Sequence, residues 1–231
     1  YKATFETIRN VPFYKEKDIH IKFSKPTILY QNESGLTPSV ISKTERYIAL
    51  TKEITTDKNE MYLYDSKTKT TKRLSNDKEA NWSPMAFEKN DSIFYYTSNE
   101  DKEFSSLLKY NINTEKSEEI FKDKWDVMYM SLSEKEKYHI VFVNNDGKNK
   151  VLLFEHATGK PLKLPDFDDG DVINVIISNS ENKLLLTVGS STSSPNLYLY
   201  DIPSKKLKQL TSTLSKKINQ DDLAKAEVIR F

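Results

Sequence analysis

An all-β protein built from repeated four-stranded blades, a β-propeller, is the fold that the sequence predicts, and three observations predict it. A short aromatic strand motif recurs with a period near 45 residues, apolar β-branched runs recur beside it in fixed order, and turn chemistry fills the intervals where a helical period is absent.

The most visible element is the third strand of each unit, an aromatic or apolar run closed by a polar residue. It reads Met-Tyr-Leu-Tyr-Asp over 61–65, Leu-Leu-Lys-Tyr-Asn over 107–111, Val-Leu-Leu-Phe-Glu over 151–155 and Leu-Tyr-Leu-Tyr-Asp over 197–201. Its aromatic residues, Tyr64, Tyr110, Phe154 and Tyr200, stand 46, 44 and 46 positions apart. Upstream of each lies the second strand, at 47–51, 93–97, 139–143 and 183–187, rich in Ile, Leu, Val, Phe and Tyr as strands favour. Innermost and earlier still come 39–42, 85–87, 128–131 and 175–178, and outermost, beyond turn-forming tracts, 72–74, 118–120, 162–164 and 208–210. Four such strands cannot bury both faces alone, so the units must stack on one another, as blades around an axis do.

Subtracting one period places parts of an earlier blade near residues 1–5, 19–23 and 27–30, which hold suitable runs. The expected organisation is one propeller domain over 1–231, with a partial blade at 1–36 and full blades at 37–79, 80–123, 124–168 and 169–212. Residues 213–231 follow as an exit segment, whose Val228, Ile229 and Phe231 either close a ring as the missing strand or lead elsewhere.

Composition excludes several functions. Lys+Arg 35 against Asp+Glu 34 leaves a net charge of +1, so no long-range field gathers nucleic acid or anionic lipid. Only Arg9, Arg46, Arg73 and Arg230 are arginines, the residue that grips phosphates and base edges bidentately. Without cysteine there is no disulfide, thiolate metal site or cysteine nucleophile. No apolar run has the roughly 18 residues that a membrane span needs, and the opening Tyr-Lys-Ala-Thr-Phe does not read as a signal peptide. Neither nucleic acid nor a membrane is therefore expected as a partner, and bacterial cytoplasm and periplasm suit the composition equally.

The blade wording carries a family likeness. Trp82-Ser83-Pro84, Arg46-Tyr47-Ile48-Ala49, Leu199-Tyr200-Asp201, Ala157-Thr158-Gly159-Lys160 and Gln209-Leu210-Thr211 resemble the repeats of TolB-like proteins and of the prolyl oligopeptidase family. The tail, from Leu210-Thr211 through Asp222-Leu223 to Glu227-Val228-Ile229-Arg230-Phe231, resembles the segment by which family peptidases leave the propeller for an α/β-hydrolase domain. It departs from that pattern at Lys216, Gln220 and Ala226, where the family commonly has proline. The resemblance implies a propeller that caps and gates a serine peptidase, with the hydrolase domain after Phe231 as its partner and peptides as substrate. The competing expectation is a TolB-like propeller that binds a protein and has no peptidase attached. A third, a closed five-bladed glycan module, is disfavoured because the expected axial positions, around Ser42, Ser131 and Ser178, are small and polar.

The chain's own residues supply no catalytic set. Gly35, Gly147, Gly159, Gly170 and Gly189 never fall four apart, so the G-x-S-x-G turn that exposes a hydrolase serine is missing, as are Gly-rich phosphate cradles. His20, His139 and His156 are assigned to packing or surface, since nothing in their spacing brings them together with carboxylates. Asp166, Asp168, Asp169 and Asp171 surround Gly170 but lack the spacing of a calcium loop, because position 177 is Ile. The lysine tracts at 68–73 and 204–208 fall on hairpins and outer strands, where charge protects a sheet edge. Trp82 and Trp125 are expected between blades, and residues 191–195 form a turn-rich loop with no assigned role. No catalytic, cofactor-binding or metal-binding residue is thus assigned, and no cofactor is expected.

Overall fold

The computed structural model describes residues 27–167 and 170–229. Four antiparallel four-stranded sheets follow one another in sequence, each a meander whose strands pair in chain order. Blade A comprises β1 (Thr37–Ile41), β2 (Tyr47–Glu53), β3 (Asn59–Asp65) and β4 (Thr70–Arg73). Blade B comprises β5 (Trp82–Phe87), β6 (Ile93–Ser98), β7 (Ser106–Asn111) and β8 (Lys116–Phe121). Blade C comprises β9 (Val127–Leu132), β10 (Tyr138–Asn145), β11 (Lys148–Glu155) and β12 (Pro161–Leu162). Blade D comprises β13 (Asp171–Ile177), β14 (Lys183–Ser190), β15 (Ser193–Asp201) and β16 (Lys206–Gln209).

Alternation along β2, β6, β10 and β14 sends one set of side chains toward the preceding blade and the other toward the next, so three seams are apolar on both sides. Seam A–B joins Ala49, Met61 and Leu63 to Trp82, Phe87, Phe94 and Tyr96. Its centre is an aromatic pile: Phe94 lies 4.6 Å from Phe87 and 6.0 Å from Tyr96, which in turn stacks 5.8 Å from Trp82. Seam B–C packs Tyr95 and Leu107 against Val127, Met130, Val141 and Val143. Seam C–D packs Ile140 and Leu153 against Leu184, Leu186, Val188 and Tyr200.

The polar residue that closes each third strand caps the turn after it. Asp65 accepts from the Lys67 amide, Asn111 from Asn113 and Thr114, and Asp201 from Ser204, the local bonds that make Asp and Asn turn residues. Each innermost strand carries one bulge against its neighbour, which turns Met128 and Ile173 outward and leaves them 58% and 48% exposed.

Two expectations are corrected. Residues 27–30, read as a strand, form no ladder; only Gln31 makes an isolated bridge. Tyr30 and Leu36 instead bury themselves on blade A beside Ile48, Leu50 and Tyr64, with Tyr30 edge-on to Tyr64 at 4.9 Å. Asn32 shapes this arm by accepting from the Leu36 amide and donating to its carbonyl. The outer strand of blade C, expected at 162–164, ends at Leu162, because Pro165 follows closely and residues 163–167 leave the sheet. The strands expected at 1–5 and 19–23, and His20, lie outside the described residues.

Candidate functional site

At one end of the blades the turns joining the first and second strands share one design. Glu45, Asp91, Glu136 and Glu181 occupy equivalent places, each with φ near +60°, and each donates its amide to the carbonyl three residues earlier. Three of these acids reach back to the preceding blade. Asp91 accepts from the Thr44 hydroxyl, Glu136 from the Lys89 amide, and Glu181 from the amides of Lys135 at 2.7 Å and Lys137 at 3.4 Å. Glu181 is 3% exposed; burial pushes its carboxyl up, but the Ser133 hydroxyl and those two amides outweigh burial and hold it below the usual range.

The turns of blades A, B and C border a cavity of about 470 Å³ lined by Val40, Ser42, Lys43, Met85, Ser131 and Glu134, among others. Glu134 pairs with Lys43, two blades away, and lies 3.7 Å from Lys89, so one carboxylate spans the mouth between three blades. Hydrogen bonding and charge from Lys43 hold the Glu134 carboxyl below its ordinary range. Ser42 and Ser131 do line this mouth, but the Ser42 hydroxyl is turned away to accept from the Tyr47 amide, as Ser178 does from Lys183.

The structure brings together two histidines that the sequence kept apart. His139, on β10, and His156, on the turn after β11, place their Nδ1 atoms 3.2 Å apart. The other nitrogen of His156, Nε2, lies 3.2 Å from Oε1 of Glu88 in blade B, and the Tyr95 hydroxyl donates to that same oxygen at 2.8 Å. Tyr95, His139 and His156 border a 230 Å³ pocket with Phe121, Met130 and Phe154 in its wall. Burial, then the neighbouring His156, lowers the His139 pKa to about 4. Burial and the Glu88 carboxylate push the Tyr95 hydroxyl up. Spacing hid this cluster, since Glu88 and His156 are 68 residues apart; alignment of the repeats was the available signal, because Glu88 stands where Ser42, Ser133 and Ser178 cap the other blades.

Other singled-out residues have structural partners. Asp171 accepts from the Asn149 amide and side chain, tying blades C and D, while Asp168 and Asp169 lie outside the described residues. Among the described residues no three His, Asp or Glu side chains are arranged to hold a metal. Lys72 of the first lysine tract pairs with Glu115 of the next blade at 2.6 Å, and Lys206–Gln209 is an exposed outer strand. Trp82 is buried in seam A–B, and Trp125 packs 5.4 Å from Phe104. Ser191 accepts from the Ala226 amide at 3.0 Å, while Thr213 is held by Asn196 and the Pro195 carbonyl, so residues 191–196 hold the exit segment.

Comparison with known proteins agrees with this architecture. A prolyl endopeptidase from a study of interdomain dynamics has TM-score 0.66 at 14% identity, over 86% of this chain and 30% of its own. Prolyl oligopeptidase B from Galerina marginata has TM-score 0.67 at 16% identity over the same shares. TolB from Acinetobacter baumannii has TM-score 0.57 at 16% identity, over 82% of this chain and 46% of its own. The chain thus spans less than half the length of these structures, and at such identities the likeness concerns the fold. No curated protein sequence matches it. The family model described as the N-terminal β-propeller domain of prolyl oligopeptidase matches residues 22–213, and the chain belongs to that family.

Proposed function

We propose that this chain is the noncatalytic propeller of a prolyl-oligopeptidase-type serine peptidase, admitting short peptides to a hydrolase domain that follows residue 231 and turning folded proteins away. The family match carries the proposal, because fold alone does not assign a function. The chain's lack of a G-x-S-x-G turn agrees with a division of labour in which the serine, acid and histidine reside elsewhere. The mouth bridged by Glu134 and Lys43 suits a steric filter, since its width depends on side chains drawn from separate blades. The exit segment lies against the β14–β15 hairpin, at the end opposite the turns that join first and second strands, so a following domain would sit toward that end.

Hydrolysis of a peptide-length series by the full-length protein, with and without the propeller, tests this. Intact protein should cleave short peptides and spare folded proteins, and removal of the propeller should relax that limit. The propeller alone should be inactive; peptide turnover by it would overturn its noncatalytic role.

The likeness to TolB supports a second reading, a propeller that holds a protein partner with no peptidase attached. A native chain ending near residue 231 would favour that reading.

A further inference from the structure

One seam departs from the repeat. In blades A, C and D a serine, Ser42, Ser133 or Ser178, caps its own turn by accepting from the amide five residues on. Blade B has Glu88 there, and its carboxylate faces blade C, meeting His156 while accepting from Tyr95 and, at 3.4 Å, from Ser92. His139 completes the line, stacked on Phe154 at 4.9 Å.

Counting protons defines what this line tolerates. Two facing Nδ1 atoms at 3.2 Å share one proton, donated by one ring and accepted by the other. With both imidazoles neutral, His156 gives its Nε2 proton to Glu88 and accepts from His139. One added proton is also accommodated: His156 becomes a cation beside Glu88 and donates from Nδ1 to His139. A second added proton sets N–H against N–H and cation against cation, and the rings must part. The surrounding charges do not relieve this. Tyr95 from β6 already donates to Glu88, Glu136 of the β9–β10 turn is spent on the Lys89 amide, and Lys109 from β7 is itself cationic and paired with Glu118. The β8, β9 and β11 walls offer Phe121, Met130 and Phe154, which cannot compensate charge.

We propose that Glu88, His156 and His139 form an acid-release latch between blades B and C, closed while the Nδ1 pair holds one proton and opened when both rings are cationic. Because the described residues of the other two seams form no such line, acid loosens this seam first. The displacement of His139 from 6.5 to about 4 supports the geometry, and the sign follows: a base whose folded pKa is depressed contributes stability above 6.5 that is lost as pH falls toward 4.

Hydrogen exchange on the full chain between pH 7 and 4, corrected for intrinsic rates, tests the latch. Amides of β6 and β10 should lose protection about a hundredfold by pH 4, while those of β2 and β14 should change less than about tenfold, a pKa unit being a tenfold change. His139→Phe, which keeps the ring and its stack, should abolish the differential loss. Equal loss at all seams, or a seam B–C response unchanged in the variant, would overturn the proposal. Should the variant not fold, imidazole nitrogen NMR of the unsubstituted chain decides: His139 should titrate near pH 4, and titration of His139 near 6.5 would refute the latch.

Discussion

Single side chains matter most where they serve two blades at once. Glu181 is buried and accepts from amides of the preceding blade, so truncation strands donors that have lost water. Glu181→Ala should therefore cost about 1–3 kcal/mol in denaturant unfolding, and Glu181→Gln less, because its carbonyl still accepts. Since the folded carboxyl titrates below its ordinary range, its contribution is present above the unfolded pKa of about 4.5 and lost as pH falls below it. This window lies under that of His139, so an acid titration should show the histidine phase first. Phe94, fully buried between Phe87 and Tyr96, is the apolar counterpart: Phe94→Ala should cost about 3–5 kcal/mol, read as a lowered denaturation midpoint at unchanged slope.

Among the elements, the hairpin turns are the informative ones. Lys69, Glu115 and Lys205 sit after the third strands with φ of 61°, 58° and 57°, and Gly159 fills the same place in blade C at 67°. A side chain there opposes the left-handed conformation that glycine adopts freely, whereas glycine costs entropy in the unfolded chain. Lys205→Gly should thus be stabilising by about 0.5 kcal/mol, a rise of about 1–2 °C in Tm. These turns also mark the limit of what sequence could show. Strands were legible because Ile48, Phe94 and Leu184 belong to periodic apolar runs with polar stops, as was Trp82 as a seam residue. The inner turns were not, since positive φ is sought at Gly or Asn and these positions hold Glu and Asp. Glu88 was equally hidden, because its meaning lies in replacing a serine and in a contact 68 residues away.

For the whole molecule, the charge at the mouth should matter for passage more than for stability. Lys43 and Glu134 are 53% and 51% exposed, and exposed pairs contribute little. Lys43→Ala should change unfolding free energy by less than about 1 kcal/mol. If the mouth is the filter proposed above, that variant of the full-length protein should cleave longer peptides faster while its turnover of the shortest stays constant; an unchanged length profile would place the filter elsewhere.

The acids of the inner turns give the row of blades a direction. Each of Asp91, Glu136 and Glu181 reaches only toward the blade made before it, so a blade's own turn remains unsatisfied until its successor exists. A chain growing from its N-terminus completes each blade by making the next, and synthesis order becomes docking order. A nascent chain stopped before Glu181 would carry a third blade with every strand in place and the amides of Lys135 and Lys137 still waiting for an acceptor. Pausing during translation would thereby expose one seam at a time, always the newest.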